Sequence, residues 1–411
     1  MSTQDGGKAP LKVITREELK ARREKELKRR KKMRVVFVAV CVLILALIVF
    51  LVVLAVKGIK KLVSGAGSAR SHSCAAWQLE YGGEGEIAYT AGRIYILGDS
   101  NILCASESGE TLWTLGAAYK NGVLVPLADG IIAFDKGGST IARYNDSGMV
   151  WQKTMDGAID AVSLNEKAGE AVIRLAPESG GSMLLVLKIK DETSIGETVL
   201  EKKYTSNFVM GAVVSPGGKS LAVCELTETD GHAATKLTVA DISTGRSYFS
   251  KIIENDTVPY VAFVSENVLA AAGGKNVYVV ENLNKNTAQA ARFRELISVG
   301  DTGEKVLSVL ATGGREIAAI GNGEGKTTVS IYDPATGKTD SFVVSAAVKG
   351  LAPCSDGFFA VYTAESFGVY DFNGTLAASC EEKISVEKLT SGAGGSFVIT
   401  GSTGITLIDF K

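Results

Sequence analysis

Thr140-Ile-Ala-Arg-Tyr-Asn145 is a short apolar run that ends in an amide residue, and Asp146-Ser147-Gly148 follows it as a turn. Seven further stretches read the same way: Asn101-Ile-Leu-Cys-Ala-Ser106, Leu185-Val-Leu-Lys-Ile-Lys-Asp191, Lys236-Leu-Thr-Val-Ala-Asp241, Asn276-Val-Tyr-Val-Val-Glu281, Thr328-Val-Ser-Ile-Tyr-Asp333, Ser366-Phe-Gly-Val-Tyr-Asp371 and Gly404-Ile-Thr-Leu-Ile-Asp409. Only the stretch ending in Ser106 departs from the acidic or amide ending. Successive ends lie roughly 40 to 50 residues apart, the interval of a four-stranded propeller blade. The periodicity predicts an all-β fold, an eight-bladed β-propeller.

Working outward from each stretch, another apolar run precedes it across a short polar turn, as in Gly130-Ile-Ile-Ala-Phe-Asp135, Glu316-Ile-Ala-Ala-Ile-Gly321 and Ser396-Phe-Val-Ile-Thr-Gly401. Two such runs joined by Gly, Ser, Asn and Asp form a hairpin. After the second run comes a turn bearing Gly109, Gly148, Gly245, Gly337 or Gly374. Glycine reaches positive φ without steric cost, so the chain reverses tightly into an outermost strand. Blades three (Thr193 to Gly196) and five (Asn282 to Asn286) keep the position with different chemistry.

The eighth repeat stops at Asp409-Phe410-Lys411, where the outer strand of its blade should begin. Trp113 and Trp151 mark the outer strands of blades one and two, and Trp77, in Cys74-Ala-Ala-Trp-Gln-Leu-Glu-Tyr81, stands ahead of the first complete blade. The expectation is that this N-terminal strand completes blade eight and closes the ring, removing the open edges that favour aggregation. Trp77, Trp113 and Trp151 are the candidate ring-closing residues.

Ahead of the repeats, Val35 to Val56 holds no charged or strongly polar residue. At about 1.5 Å per residue such a run matches a hydrocarbon core of about 30 Å, and it exceeds the h-region of a cleaved signal peptide. Cys41 stands too early in it for a lipoprotein box and reads as helix filler. Eleven Lys and Arg lie between Arg16 and Arg34, against Lys57, Lys60, Lys61 and Arg70 beyond the span. The positive-inside rule then places the N-terminus in the cytoplasm and the propeller outside. The expected organisation is a basic tail over residues 1–34, helical from about Thr15, a transmembrane helix over 35–56, a flexible stalk over 57–73 and the propeller over 74–411. Residues 1–34 carry a net charge of +8 and residues 71–411 one of −13. An acidic outer domain argues against nucleic acid as a partner.

Chemistry-bearing motifs are scarce. Gly321-Asn-Gly-Glu-Gly325-Lys326-Thr327 places three residues between its glycines where a phosphate-binding loop needs four, and it joins two strands, so it reads as a hairpin turn. His72 and His232 are the two histidines, and neither has zinc-ligand spacing or stands near a nucleophile elbow. The cysteines beyond the span, Cys74, Cys104, Cys224, Cys354 and Cys380, are odd in number and lack a C-x-x-C pair. Cys104 and Cys224 read as buried strand residues, and a bridge would have to involve Cys74, Cys354 or Cys380. No metal site and no catalytic residue is expected.

Cys104-Ala-Ser-Glu-Ser-Gly-Glu-Thr-Leu-Trp113 and Ala142-Arg-Tyr-Asn-Asp-Ser-Gly-Met-Val-Trp151 resemble the repeat of quinoprotein-type (PQQ-like) propellers. Val239 to Gly245 and Ile331 to Gly337 match its first half. An outer-membrane assembly lipoprotein that acts as a binding scaffold shares this repeat, and the whole arrangement is similar to a bacterial membrane-protein family classed as a domain of unknown function. Alcohol-oxidising relatives use a vicinal cysteine pair beside their quinone, and this chain has no Cys-Cys. The resemblance therefore implies the fold, with no cofactor. Two classes of function follow: a non-enzymatic scaffold or sensor in the cell envelope, with a protein or glycan partner on a propeller face, and, as the alternative, an extracytoplasmic hydrolase or lyase acting in the central funnel. Clustered carboxylates and aromatics in that funnel would favour the second.

Overall fold

The strand Cys74–Leu79 pairs antiparallel with Gly404–Phe410 at the far end of the sequence, with Trp77 opposite Leu407. A computed structural model describes residues 74–79, 85–190, 196–205, 207–283, 291–299, 303–322, 325–355, 357–379, 386–391, 395–401 and 404–410. They form eight four-stranded antiparallel sheets. Seven take their strands consecutively. Blade one is Glu86–Thr90, Arg93–Leu97, Asn101–Ser106 and Thr111–Gly116; blade two is Gly122–Leu127, Gly130–Asp135, Thr140–Asn145 and Gly148–Thr154; blade three is Ala158–Asn165, Glu170–Ala176, Ser182–Lys188 and Thr198–Tyr204. Blade four is Phe208–Val214, Ser220–Thr229, His232–Asp241 and Ser247–Ile253; blade five is Tyr260–Ser265, Val268–Ala272, Asn276–Glu281 and Arg292–Ser298. Blade six is Lys305–Thr312, Arg315–Gly321, Thr327–Asp333 and Lys338–Val344, and blade seven is Gly350–Pro353, Phe358–Tyr362, Phe367–Asp371 and Leu376–Ser379. Blade eight combines Lys388–Ser391, Ser396–Gly401 and Gly404–Phe410 with the N-terminal strand on its outside. The eight-bladed propeller and its closure by the N-terminal strand are thus as expected.

The turns explain why the repeats fold alike. Gly109, Gly148, Gly245, Gly337 and Gly374 all adopt positive φ after the third strand of their blades, and in blade five Asn282, at φ 59°, takes the same left-handed region without being glycine. Around His232, Asp230 and Gly231 both have positive φ and make a two-residue turn, and the hairpin strands run up to it. Tight turns of this kind match the twist of paired strands.

Alternation along each strand turns one side chain to each neighbouring blade, and the core lies in the seams between blades. Between blades eight and one, Val398, Ile405 and Leu407 pack with Ile87, Tyr89, Ile94 and Ile96. Between blades seven and eight, Phe367 meets Phe397 edge-on at 4.9 Å. The seam between blades five and six has the smallest buried cluster, Ala272, Val277 and Ala318. Polar ties join turns of successive blades. The Thr90 hydroxyl donates to Leu127 O at 2.6 Å, the Ala128 amide to Glu166 at 2.6 Å, and the Ser215 hydroxyl and Gly217 amide to Glu266 at 3.0 and 2.7 Å. A Cβ on Gly217 would fall 2.9 Å from that carboxylate, so a larger residue there would push the Glu266 side chain aside.

Among the described residues no helix is long and apolar enough to cross a membrane. The expected span Val35 to Val56, the basic tail and the stalk with His72 lie outside the described residues, as do Cys380 and Asp191.

Candidate functional site

Turns between second and third strands share one face of the ring with the connections between blades; the first-to-second and third-to-fourth turns share the other. On the former face a cleft of about 760 Å³ opens between blades two and three. Its rim is built by Gly137, Gly138 and Asp156 of blade two and by Glu178, Ser179 and Gly180 of blade three, with Met155, Met183 and Tyr204 buried along its floor. The two blades are stitched beneath it by backbone: the Gly137 amide donates to Ile159 O at 2.8 Å and the Ile159 amide to Gly138 O at 2.7 Å. Gly137 has φ 84°, and a Cβ on Gly138 would lie 2.2 Å from an Asp135 carboxylate oxygen, so the close approach depends on both glycines.

Asp156 and Glu178 are exposed on this rim, while Glu201 pairs with Lys203 at 3.4 Å. That exposed pair contributes little stability. The cleft thus offers turn backbone, small side chains and carboxylates, a surface suited to hydrogen-bonding an extended, basic segment.

A second pocket, of about 310 Å³, lies among the first strands of blades three, four and five and is lined by Ser163, Arg174, Met210 and Tyr260. The Arg174 guanidinium is spent: Nε donates to Asp160 at 2.6 Å, Nη1 donates to Met210 O, and the group lies 5.8 Å from the Phe208 ring centre. Burial, followed by the charge of Glu316, pushes the Tyr260 phenol above its ordinary range.

Trp113 lies in the outer strand of blade one but reaches blade two, donating its indole N–H to Asn145 O at 3.2 Å and Asp146 O at 3.0 Å and stacking on Tyr144 at 5.9 Å. Trp151 packs against the cluster between blades two and three, and its buried indole nitrogen has no hydrogen-bond partner. Trp77, Trp113 and Trp151 share one register position, opposite Leu407, Cys104 and Arg143. They stand in three different blades and are not brought together. Cys104, Cys224 and Cys354 are free and lie on or beside strands of blades one, four and seven. Among the described residues no group of three or more His, Cys, Asp or Glu could hold a metal ion. His232 is exposed at the tip of the blade-four hairpin. Thr327, last residue of the glycine-rich stretch, is buried, donating to Ala346 O at 2.9 Å and accepting from the Val348 amide at 3.1 Å. Gly323 and Glu324 lie outside the described residues, and the flanking strands pair as a hairpin.

Two residues escaped the sequence reading. Arg143, 6% exposed, donates to Ile189 O and to Asp129, each at 2.7 Å, and Glu316 is buried. For Arg143 the available signal was a charge inside an apolar strand.

The class defined by this arrangement is an eight-bladed propeller whose blades are fastened by inter-blade tryptophan, arginine and glutamate contacts. The chain belongs to the family of unknown function DUF5711, whose model matches residues 77–410. No curated protein is similar to it. Among solved structures it shares its fold with apo AztD from Citrobacter koseri, TM-score 0.54 at 12% identity over 75% of this chain and 88% of that one. Sqt1 from Chaetomium thermophilum, bound to the N-terminus of ribosomal protein L10, gives 0.53 at 12% identity over 80% and 96%. BamB from Moraxella catarrhalis gives 0.50 at 14% identity over 82% and 98%, in line with the quinoprotein-type repeats.

Proposed function

We propose that the chain is a non-enzymatic binding scaffold or sensor of the bacterial cell envelope, anchored by Val35 to Val56 with its N-terminus in the cytoplasm and its propeller outside. The observation that carries this is the direction of the closing strand. Cys74 stands opposite Phe410 and Leu79 opposite Ile405, so the chain enters the ring at the face bearing the first-to-second and third-to-fourth turns. The cleft between blades two and three opens on the opposite face, away from that entry point. Its exposed turn backbone and carboxylates favour a polypeptide partner, with a glycan as the second choice. The Sqt1 propeller, bound to a protein N-terminus, is a precedent for the partner class on this fold.

Protease added to intact protoplasts is expected to digest residues beyond about 70 and to spare the N-terminal tail. Protection of the propeller would reverse the orientation. Photo-crosslinkers placed in living cells at Glu178 and Ser179 are expected to capture one common protein, and a crosslinker at Thr336 on the opposite face is not. Equal capture from both faces would remove the cleft as the partner site.

A further inference from the structure

In each blade one residue stands one place into the second strand, and in seven blades it is apolar: Ile94, Ile131, Ala171, Leu221, Leu269, Phe359 and Phe397, each at most 1% exposed. In blade six it is Glu316, 2% exposed, with neither carboxylate oxygen given a hydrogen-bond partner. A carboxylate thus occupies an apolar core position beside the seam with the smallest buried cluster.

The charged groups around it bond chiefly to one another. Tyr332, opposite Glu316 on the third strand, donates its hydroxyl to Glu281 of blade five. Arg294 of blade five donates to that hydroxyl at 2.5 Å and to Glu281 at 3.2 Å, and lies 5.3 Å from the Tyr332 ring centre. From the first strand of blade five Tyr260, an acid itself, packs against the same small cluster. None of these groups hydrogen-bonds Glu316, and the buried Arg294 Nε is likewise without a hydrogen-bond partner.

We propose that the seam between blades five and six is a pH-sensitive joint, in which Glu316 is held as the neutral acid and its ionisation loosens the contact between the two blades. An isolated ionised carboxylate in an apolar seam is costly, and such a group stays protonated or draws in water. Burial accordingly holds the Glu316 carboxyl well above the usual carboxylate range. With the folded value above the unfolded one, the folded state binds the proton more tightly. The stabilisation is fully present below the ordinary carboxylate range and is lost as pH rises through the folded value. The proposal is independent of the membrane reading, because every residue in it belongs to the ring.

The experiment is amide hydrogen exchange on the full chain at about pH 6 and about pH 8.5, corrected for intrinsic rates, with Glu316→Gln and Glu316→Leu alongside. In the native protein, protection of Lys305–Thr312 and Arg315–Gly321 is expected to fall by about tenfold or more relative to Phe367–Asp371 as pH rises. Both variants are expected to show no such differential, the leucine by restoring the residue type of the other seven blades. If the leucine variant fails to fold, the glutamine variant alone decides. Equal protection at both pH values in the native protein, or the same pH dependence in Glu316→Gln, would overturn the proposal.

Discussion

Trp113 and Trp151 occupy the same register position in neighbouring blades, yet their surroundings differ in one respect. The Trp113 indole reaches across the seam to Asp146 O. The corresponding acceptor for Trp151 is Ile189 O, one place beyond Lys188 as Asp146 is one place beyond Asn145, and Arg143 already bonds it at 2.7 Å. One seam is thus fastened by an outer-strand tryptophan and the next by a third-strand arginine. Equivalent positions in a repeat fold can perform the same task with different residues, because the acceptor is a backbone carbonyl fixed by the repeat.

The largest effect comes from the third tryptophan of the series. A chain shortened to begin at Gly85 loses Cys74–Leu79 and leaves Gly404–Phe410 as an unpaired edge. Unpaired edges of this kind template association. Thermal melting should show the shortened chain unfolding well below one beginning at Arg70 and aggregating as it does so. Trp77→Ala in the longer chain is expected to lower the melting temperature as well, by about 3 to 5 kcal/mol of stability where a ring at that register position is fully buried. Equal melting temperatures would separate Trp77 from the series that Trp113 and Trp151 form.

Legibility followed the local rules. Third strands such as Asn101–Ser106, Thr140–Asn145 and Asn276–Glu281 coincide with the stretches read from sequence, because alternation and turn glycines are encoded within a few residues. In blade three the strand is Ser182–Lys188 rather than one beginning at Leu185, its register set by Lys188 opposite Glu170 in the preceding strand. Asn282 looked like the loss of a turn signal, yet it holds a left-handed conformation that asparagine tolerates. The cleft was not legible, since it arises where Gly137, Gly138 and the Pro177 to Gly180 turn come together across a seam. Glu316 was hidden for a related reason. Beside Arg315 it reads as the charged flank of a turn, and only comparison across blades places it in the core.

Arg143 offers an intermediate effect. Its side chain is 7% exposed, whereas its carboxylate partner Asp129 is 60% exposed and can return to water when released. Arg143→Met therefore loses chiefly the bond to Ile189 O, about 1.5 to 3 kcal/mol for a charged donor, offset in part by removing the buried Arg143 Nε that has no partner. Urea denaturation should report a net loss below about 3 kcal/mol. Proton NMR should also show the Trp151 indole proton becoming more protected, as its acceptor is freed. A neutral substitution with an unchanged Trp151 signal would break the idea that the two side chains compete for one carbonyl.

The smallest and sharpest difference lies between two conservative substitutions. Trp113→Phe keeps an aromatic ring against Tyr95 and Tyr144 but leaves Asn145 O and Asp146 O without the indole donor. Trp151→Phe removes a buried N–H that has no hydrogen-bond partner. Both lose similar packing volume, so the packing cost largely cancels in the comparison. What remains is one net hydrogen bond, about 0.5 to 1.5 kcal/mol, against the relief of an unsatisfied donor of about 1 to 3 kcal/mol. Trp113→Phe should accordingly unfold at a lower urea concentration than Trp151→Phe, with the denaturant slope unchanged in both. Were Trp151→Phe the more damaging, its indole would have to find a partner in solution, and the division of labour between tryptophan and arginine at these two seams would fail.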